Sequence, residues 1–141
     1  LNGLFLLTKA VGKCMKEQQS GVIVNTASTY GLLSPNKSIY GDSGINSPIS
    51  YAVTKAAIIN FSRYLATHWS EHNIRVNTIS PGGVDNSAQS VEFKEAYSKL
   101  TPMGRLAAAT EYQGAILFLA SNASSYMTGS NLVVDGGWTA W

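Results

Sequence analysis

The sequence predicts an α/β protein with a parallel sheet and right-handed crossovers. Helical and strand patterns alternate along the chain, in the order helix, strand, helix, strand, helix, strand. One strand candidate, Gly21 to Ala27, is apolar and β-branched almost throughout, as strands covered on both faces are, and a second buried strand is expected at Ile74 to Ile79. Each runs at its carboxyl end into a segment rich in turn-forming residues, which is where open parallel sheets bind ligands.

Apolar residues at Leu4, Leu7, Val11 and Met15 recur with helical spacing, and the polar stretch from Lys16 to Gly21 ends that helix. The strand that follows delivers Ser28 to its carboxyl end. Residues 29–50, rich in Gly, Pro, Ser and Asn, read as a long loop, which in a compact domain is usually functional or mobile. Ser50 is placed to cap the longest helix, which runs to about His72 with Ala52, Ala56, Ile59, Leu65 and Trp69 among its apolar positions. The second strand stops at Ser80-Pro81-Gly82-Gly83, a combination that forces a turn and lets backbone approach a ligand. A short helical stretch is expected near Ser90 to Leu100. Thr110, with Gln113 three residues on, reads as a capping box opening a helix over Glu111 to Ser121. A last strand, Asn131 to Val134, ends at Asp135-Gly136-Gly137, a turn with a structural role.

At 141 residues, 45% hydrophobic and 13% charged, the chain fits one soluble globular domain or a piece of one and excludes a disordered tail. Its net charge of +2 is scattered, so neither nucleic acid nor a charged membrane surface is an expected partner. No apolar run reaches the length of a membrane span, and no basic leader opens the chain. The single cysteine, Cys14, is expected in the core, and a lone cysteine fits a reducing, cytoplasmic setting. The chain opens inside an apolar helical pattern without a methionine, so it is expected to be part of a longer protein. His68 and His72 have metal-ligand spacing, but no His-Glu-x-x-His pattern accompanies them; a solvated helix end is expected and no metal is assigned.

Tyr51 and Lys55 lie four residues apart on the longest helix, so their side chains leave one face a turn apart. A tyrosine is a poor acid or base at neutral pH, but a nearby ammonium favours the phenolate. With Ser28 arriving from an adjacent strand end, a hydroxyl is available to hold a substrate oxygen while the phenol exchanges a proton with it. The pair has company. Gly21-Val22-Ile23-Val24-Asn25-Thr26-Ala27-Ser28-x-x-Gly31 precedes Tyr51-Ala52-Val53-Thr54-Lys55; Ile74-Arg75-Val76-Asn77-x-x-x-Pro81-Gly82, Tyr126-Met127-Thr128-Gly129 and Val134-Asp135-Gly136-Gly137 follow. In this order and spacing the motifs resemble the short-chain dehydrogenase/reductase family over nearly the whole chain.

The resemblance implies a three-layer, Rossmann-type doubly wound parallel sheet, of which residues 1–141 are the carboxyl-terminal portion, and a nicotinamide cofactor, NAD or NADP. It implies an oxidoreductase moving hydride between the nicotinamide and a carbonyl or secondary alcohol, such as a ketoacyl thioester or a sugar derivative. By motif position, Tyr51 would be the general acid/base, Lys55 would hold the nicotinamide ribose and lower the tyrosine pKa, and Ser28 would position the substrate oxygen. Pro81, Gly82 and Val84 would shape the nicotinamide site with backbone groups. The family's catalytic asparagine would precede Leu1, so Asn2 is not its counterpart. Homodimers or homotetramers are the family's common assemblies, and a non-catalytic binding or assembly subunit is the alternative function.

The sequence departs from the family pattern in three places. No Gly-x-Gly-x-x-Gly occurs, so the adenosine half of the cofactor site and its NAD/NADP selector are absent, and the first strand should show an open edge. Ser28 and Tyr51 are further apart than in common short members, which makes Leu32 to Ser50 an insertion beside the substrate side of the site. Tyr40 is nearer the usual distance, but Gly44 stands where its lysine should be; loop packing and substrate contact stay open for it. Asn86 and Ser87 follow the Pro-Gly segment where many relatives carry threonine. Trp138 and Trp141 either line a pocket or subunit contact or anchor the chain end, and are left out of the site.

Overall fold

The computed structural model describes residues 1–141. Three parallel strands, β1 (Gly21–Thr26), β2 (Ile74–Pro81) and β3 (Asn131–Val134), form a sheet in the order β1-β2-β3. Gly21 pairs with Ile74 and Thr26 with Ile79; Thr78 pairs with Asn131 and Pro81 with Val134. Helices α1 (Asn2–Gln18) and α2 (Ile49–Trp69) cover one face, and α4 (Gln113–Ala120) covers the other. Helix α3 (Val91–Leu100) stands at the carboxyl end of the strands. The outer edge of β1 has no strand partner within the chain.

The alternation of side chains along each strand divides the core. Ile23, Ile74 and Val76 meet Leu65 and Ala66 of α2, while Val24 and Ile79 meet Leu119 of α4. In α1 the buried positions are Thr8 and Gly12, and the expected stripe position Leu7 is exposed. Cys14 is exposed too, which corrects its expected place in the core: the inward face of the helix centres on Thr8 and Gly12, and Cys14 lies to the side of it. No helix is long and apolar enough to cross a membrane.

Several boundaries differ from the sequence reading. Ser50 does not cap α2; Pro48 occupies that position in extended conformation, and its carbonyl accepts from the Tyr51 amide at 3.0 Å. Thr110 lies inside a 3₁₀ turn, Ala109–Tyr112, because Glu111 reaches back to the Ala108 amide at 2.8 Å and to Arg105 in two bonds of 2.6 and 2.7 Å. The expected turn at Ser80 to Gly83 is absent: β2 runs on through Pro81, and the chain stays extended to a bridge between Val84 and Ala107. Pro81 is tolerated there because β1 has already ended, so no neighbour calls for the missing amide. Ser90 does cap α3, its Oγ accepting from the Phe93 amide at 3.2 Å. Asp135 holds the final turn by accepting from the amides of Gly137 and Thr139.

Two of the motif segments prove to be a clasp. Arg75 donates to the carbonyls of Leu119, Ser121 and Met127, and Asn77 ties Met127 and Ser130 to β2. Carbonyls at the end of α4 thus find donors that the helix itself cannot supply.

The Arg105 guanidinium holds the Glu111 carboxyl down at about 2, with the Ala108 amide adding to the effect. A carboxylate lowered in this way stabilises the fold above its ordinary pKa and loses that contribution as pH falls toward the folded value. The stability gap between wild type and Glu111→Gln is therefore expected to be constant from pH 7 to 5. It should shrink progressively between about 4.5 and about 2. Urea midpoints of the two proteins across that range measure it; a gap that widens on acidification contradicts the pairing.

Candidate active site

The strand ends and helix starts converge on one cleft of about 340 Å³. Ser28 sits two residues beyond the end of β1 and is buried, with its Oγ accepting from the Tyr30 amide at 3.2 Å. The short turn Thr29–Gly31 that follows packs on α2. A Cβ on Gly31 would lie 2.8 Å from the backbone carbon of Lys55, so glycine is what lets this turn carry Ser28 up to the helix. Tyr51, in the first turn of α2, faces the same cleft; its ring meets Tyr30 edge-on at 6.4 Å and 85°. Its side chain is 42% exposed, open on the cleft side.

Lys55 lies one turn further along α2. Its Nζ is 5.5 Å from the centre of the Tyr51 ring and donates to the Thr26 carbonyl at 3.0 Å. A carbonyl at the last residue of β1 thereby fixes a long flexible side chain beside the tyrosine. Lys55 stands behind Tyr51 and is not among the residues that line the cleft.

The segment after β2 is shared between the cleft and the core. Gly82 and Gly83 line the cleft, while Pro81 and Val84 do not. Neither glycine is there for a turn. A Cβ on Gly82 would come within 2.8 Å of the Asp135 backbone, and one on Gly83 within 2.7 Å of the Tyr97 ring. The Gly83 amide donates to the Tyr97 hydroxyl at 2.7 Å. Val84 turns its side chain into the cluster of Ile79, Tyr112 and Leu119. In its parallel bridge the Ala107 amide bonds to Gly83 and the Ala107 carbonyl to Asp85, so the amide and carbonyl of Val84 point the other way. Gln89 takes that carbonyl at 3.1 Å.

The structure thus brings Ser28, Tyr51 and Gly82 into one cavity, with Lys55 behind the tyrosine. It adds residues that the motifs did not mark. Tyr30, Tyr40, Phe93 and Tyr97 supply aromatic walls, and residues 45–48 close one side. Burial pushes the Tyr30 phenol well above its ordinary range, with the Tyr40 hydroxyl beside it adding to the effect. Burial likewise pushes Tyr97 up to about 12. The one sequence signal for these residues was the length of the Ser28–Tyr51 segment; nothing local links Tyr97 to Gly83. Trp138 is buried and stacks on Tyr97 at 4.1 Å, whereas Trp141 is exposed with its indole donating to the Leu100 carbonyl. His68 and His72 bond to the Tyr64 carbonyl and Gln19 respectively, at different places on the surface.

Known proteins share this fold. Residues 1–139 match the family described as enoyl-(acyl carrier protein) reductase. Galactitol 2-dehydrogenase (L-tagatose-forming) of Cereibacter sphaeroides is 36% identical over 100% of this chain and 54% of its own. A short-chain dehydrogenase of Leptospira borgpetersenii, solved with bound NAD+, is 44% identical with a TM-score of 0.92, across 99% of this chain and 53% of its own. A gluconate 5-dehydrogenase of Burkholderia cenocepacia, solved with NADP and tartrate, is 29% identical with a TM-score of 0.88, across 100% of this chain and 53% of its own. The chain spans about half the length of the relatives it matches. With the family model matching almost the whole chain and the fold shared with solved dehydrogenases, the chain belongs to the short-chain dehydrogenase/reductase family.

Proposed function

We propose that residues 1–141 are the carboxyl-terminal part of an NAD(P)-dependent oxidoreductase that interconverts a secondary alcohol and its carbonyl, with a sugar or polyol as substrate. The observation that carries this reading is the cleft itself, in which Ser28 and Tyr51 face one space while Lys55 is pinned behind the tyrosine by the Thr26 carbonyl. A relative named for galactitol, a neutral polyol, supports the substrate class.

In this reading Ser28 donates to the substrate oxygen and holds it in place. Tyr51 exchanges a proton with that oxygen through its hydroxyl, giving it up in reduction and taking it in oxidation. Lys55 keeps a positive charge beside the phenol and presents an ammonium for ribose hydroxyls. NAD or NADP, when bound, supplies the hydride acceptor or donor. The residues present fit a nicotinamide: the Val84 amide points away from its bridge partner, and the side-chain-free Gly82 leaves the cleft floor open. Pro81 supports the segment from the sheet. The unpartnered β1 edge fits a chain continued by further strands. Exposed apolar residues on α1 and α2, among them Phe5, Leu6, Ile49 and Val53, fit a homodimer or homotetramer. The single cysteine fits a cytoplasmic enzyme.

Titrating the full-length protein into NADH and NADPH, followed by a screen of ketones and alcohols, tests the proposal. Binding of one cofactor with turnover is the expected result, and the preferred cofactor names the selector that this chain lacks. No binding of either would favour a non-catalytic assembly subunit.

A further inference from the structure

The cleft is lined by 13 residues, and none of them carries a charged side chain. Lys55 is engaged behind Tyr51, and the nearby ion pair Lys94–Asp85 ties α3 to the segment after β2, outside the cleft. A phosphate or carboxylate entering this space would give up its hydration without a guanidinium or ammonium to replace it. The groups that are present suit a different chemistry. The hydroxyls of Tyr30 and Tyr40 and the side chains of Asn46 and Ser47 each donate and accept hydrogen bonds, as substrate hydroxyls do. The volume lies near the small end of the range, about 300–1,000 Å³, in which small-molecule sites fall.

Tyr40 is held in place from below. It follows Ile39, which is 1% exposed and belongs to a core cluster with Tyr97, Leu106 and Trp138. Asn36 caps the turn Lys37–Tyr40 by accepting from the Ser38 amide at 3.0 Å, and the Tyr40 ring rests on Phe93 at 5.7 Å. The long segment between Ser28 and Tyr51 is thus an anchored wall of the cleft, welded to α3, rather than a loose loop.

We infer that the substrate is an uncharged polyhydroxy compound, and that Tyr40, paired with Tyr30, determines specificity by reading a substrate hydroxyl away from the reacting carbon. The inference rests on the reading of Ser28 and Tyr51 as the reacting end of the cleft. A tyrosine phenol is protonated at neutral pH, so the pair retains a donor for that hydroxyl.

The test uses the full-length protein with its preferred cofactor and matched substrates of equal carbon number: neutral polyols and ketoses, aldonates, and sugar phosphates. Neutral substrates are expected to exceed their charged counterparts by at least about tenfold in kcat/KM. Tyr40→Phe is expected to raise KM for the neutral substrate by about tenfold with kcat nearly unchanged. It should also lose discrimination against the analogue missing one hydroxyl, and leave NAD(P)H titration unaltered. A preference for an aldonate or a sugar phosphate, or a Tyr40→Phe protein with unchanged KM, would overturn the inference while leaving the oxidoreductase intact. Absence of turnover with every alcohol and carbonyl, together with absent cofactor binding, defeats the oxidoreductase reading and this inference with it.

Discussion

Tyr51→Phe in the full-length protein is expected to lower turnover by about a hundredfold to ten-thousandfold, the usual contribution of a positioned acid/base group. The substitution removes one oxygen from a side chain already open to the cleft and leaves the ring on its edge-on contact with Tyr30. No buried partner loses a bond, so the unfolding midpoint should stay within the range of surface substitutions, about 0.5 kcal/mol. Cofactor affinity should change little, because Lys55 and the Val84 amide are untouched. Single-turnover rates, a urea melt and an NAD(P)H titration separate the three quantities. A Tyr51→Phe protein with near wild-type turnover would remove the tyrosine from the chemistry.

Lys55→Ala is expected to weaken both the rate and the cofactor affinity. The ammonium lies 5.5 Å from the Tyr51 ring centre and is held by the Thr26 carbonyl at 3.0 Å, so one side chain serves two neighbours. Hydrogen bonds from a charged donor contribute roughly 1.5–3 kcal/mol each, which corresponds to a loss of about tenfold to a hundredfold in NAD(P)H affinity. The rate should fall as well, because the ammonium held beside the Tyr51 ring is lost. Lys55→Arg provides a comparison: it restores charge but not the compact ammonium, and should recover only part of the affinity. Unchanged affinity together with unchanged rate in Lys55→Ala would contradict the double role.

The parts of the site carried by short-range pattern were legible without coordinates. A near-continuous apolar strand ending at Ser28 and a tyrosine and lysine one helical turn apart follow from periods of two and 3.6. Gly82 and Gly83 line the cleft without forming the turn that the sequence suggests. They are small because Asp135 and Tyr97 press on them, and those partners lie far along the chain. Ser50 and Thr110 had good capping chemistry, yet Pro48 and the Glu111–Arg105 contact settled where the helices begin. Cys14 looked like a core residue by type, but one face of α1 turns toward the sheet, and Cys14 lies to the side of it.

Local periodicity, turn chemistry and the order of motifs were sufficient for the parallel α/β architecture and for placing Ser28, Tyr51 and Lys55 at one end of the sheet, because each depends on residues close together in sequence. The character of the cleft was not readable in that way. Its aromatic walls, its neutrality and the anchoring of Tyr40 through Ile39 arise where residues 30–48 meet α3 and the chain's last turn. Those contacts join segments separated by more than forty residues, and their energy exists only once hydrophobic packing has brought the segments together.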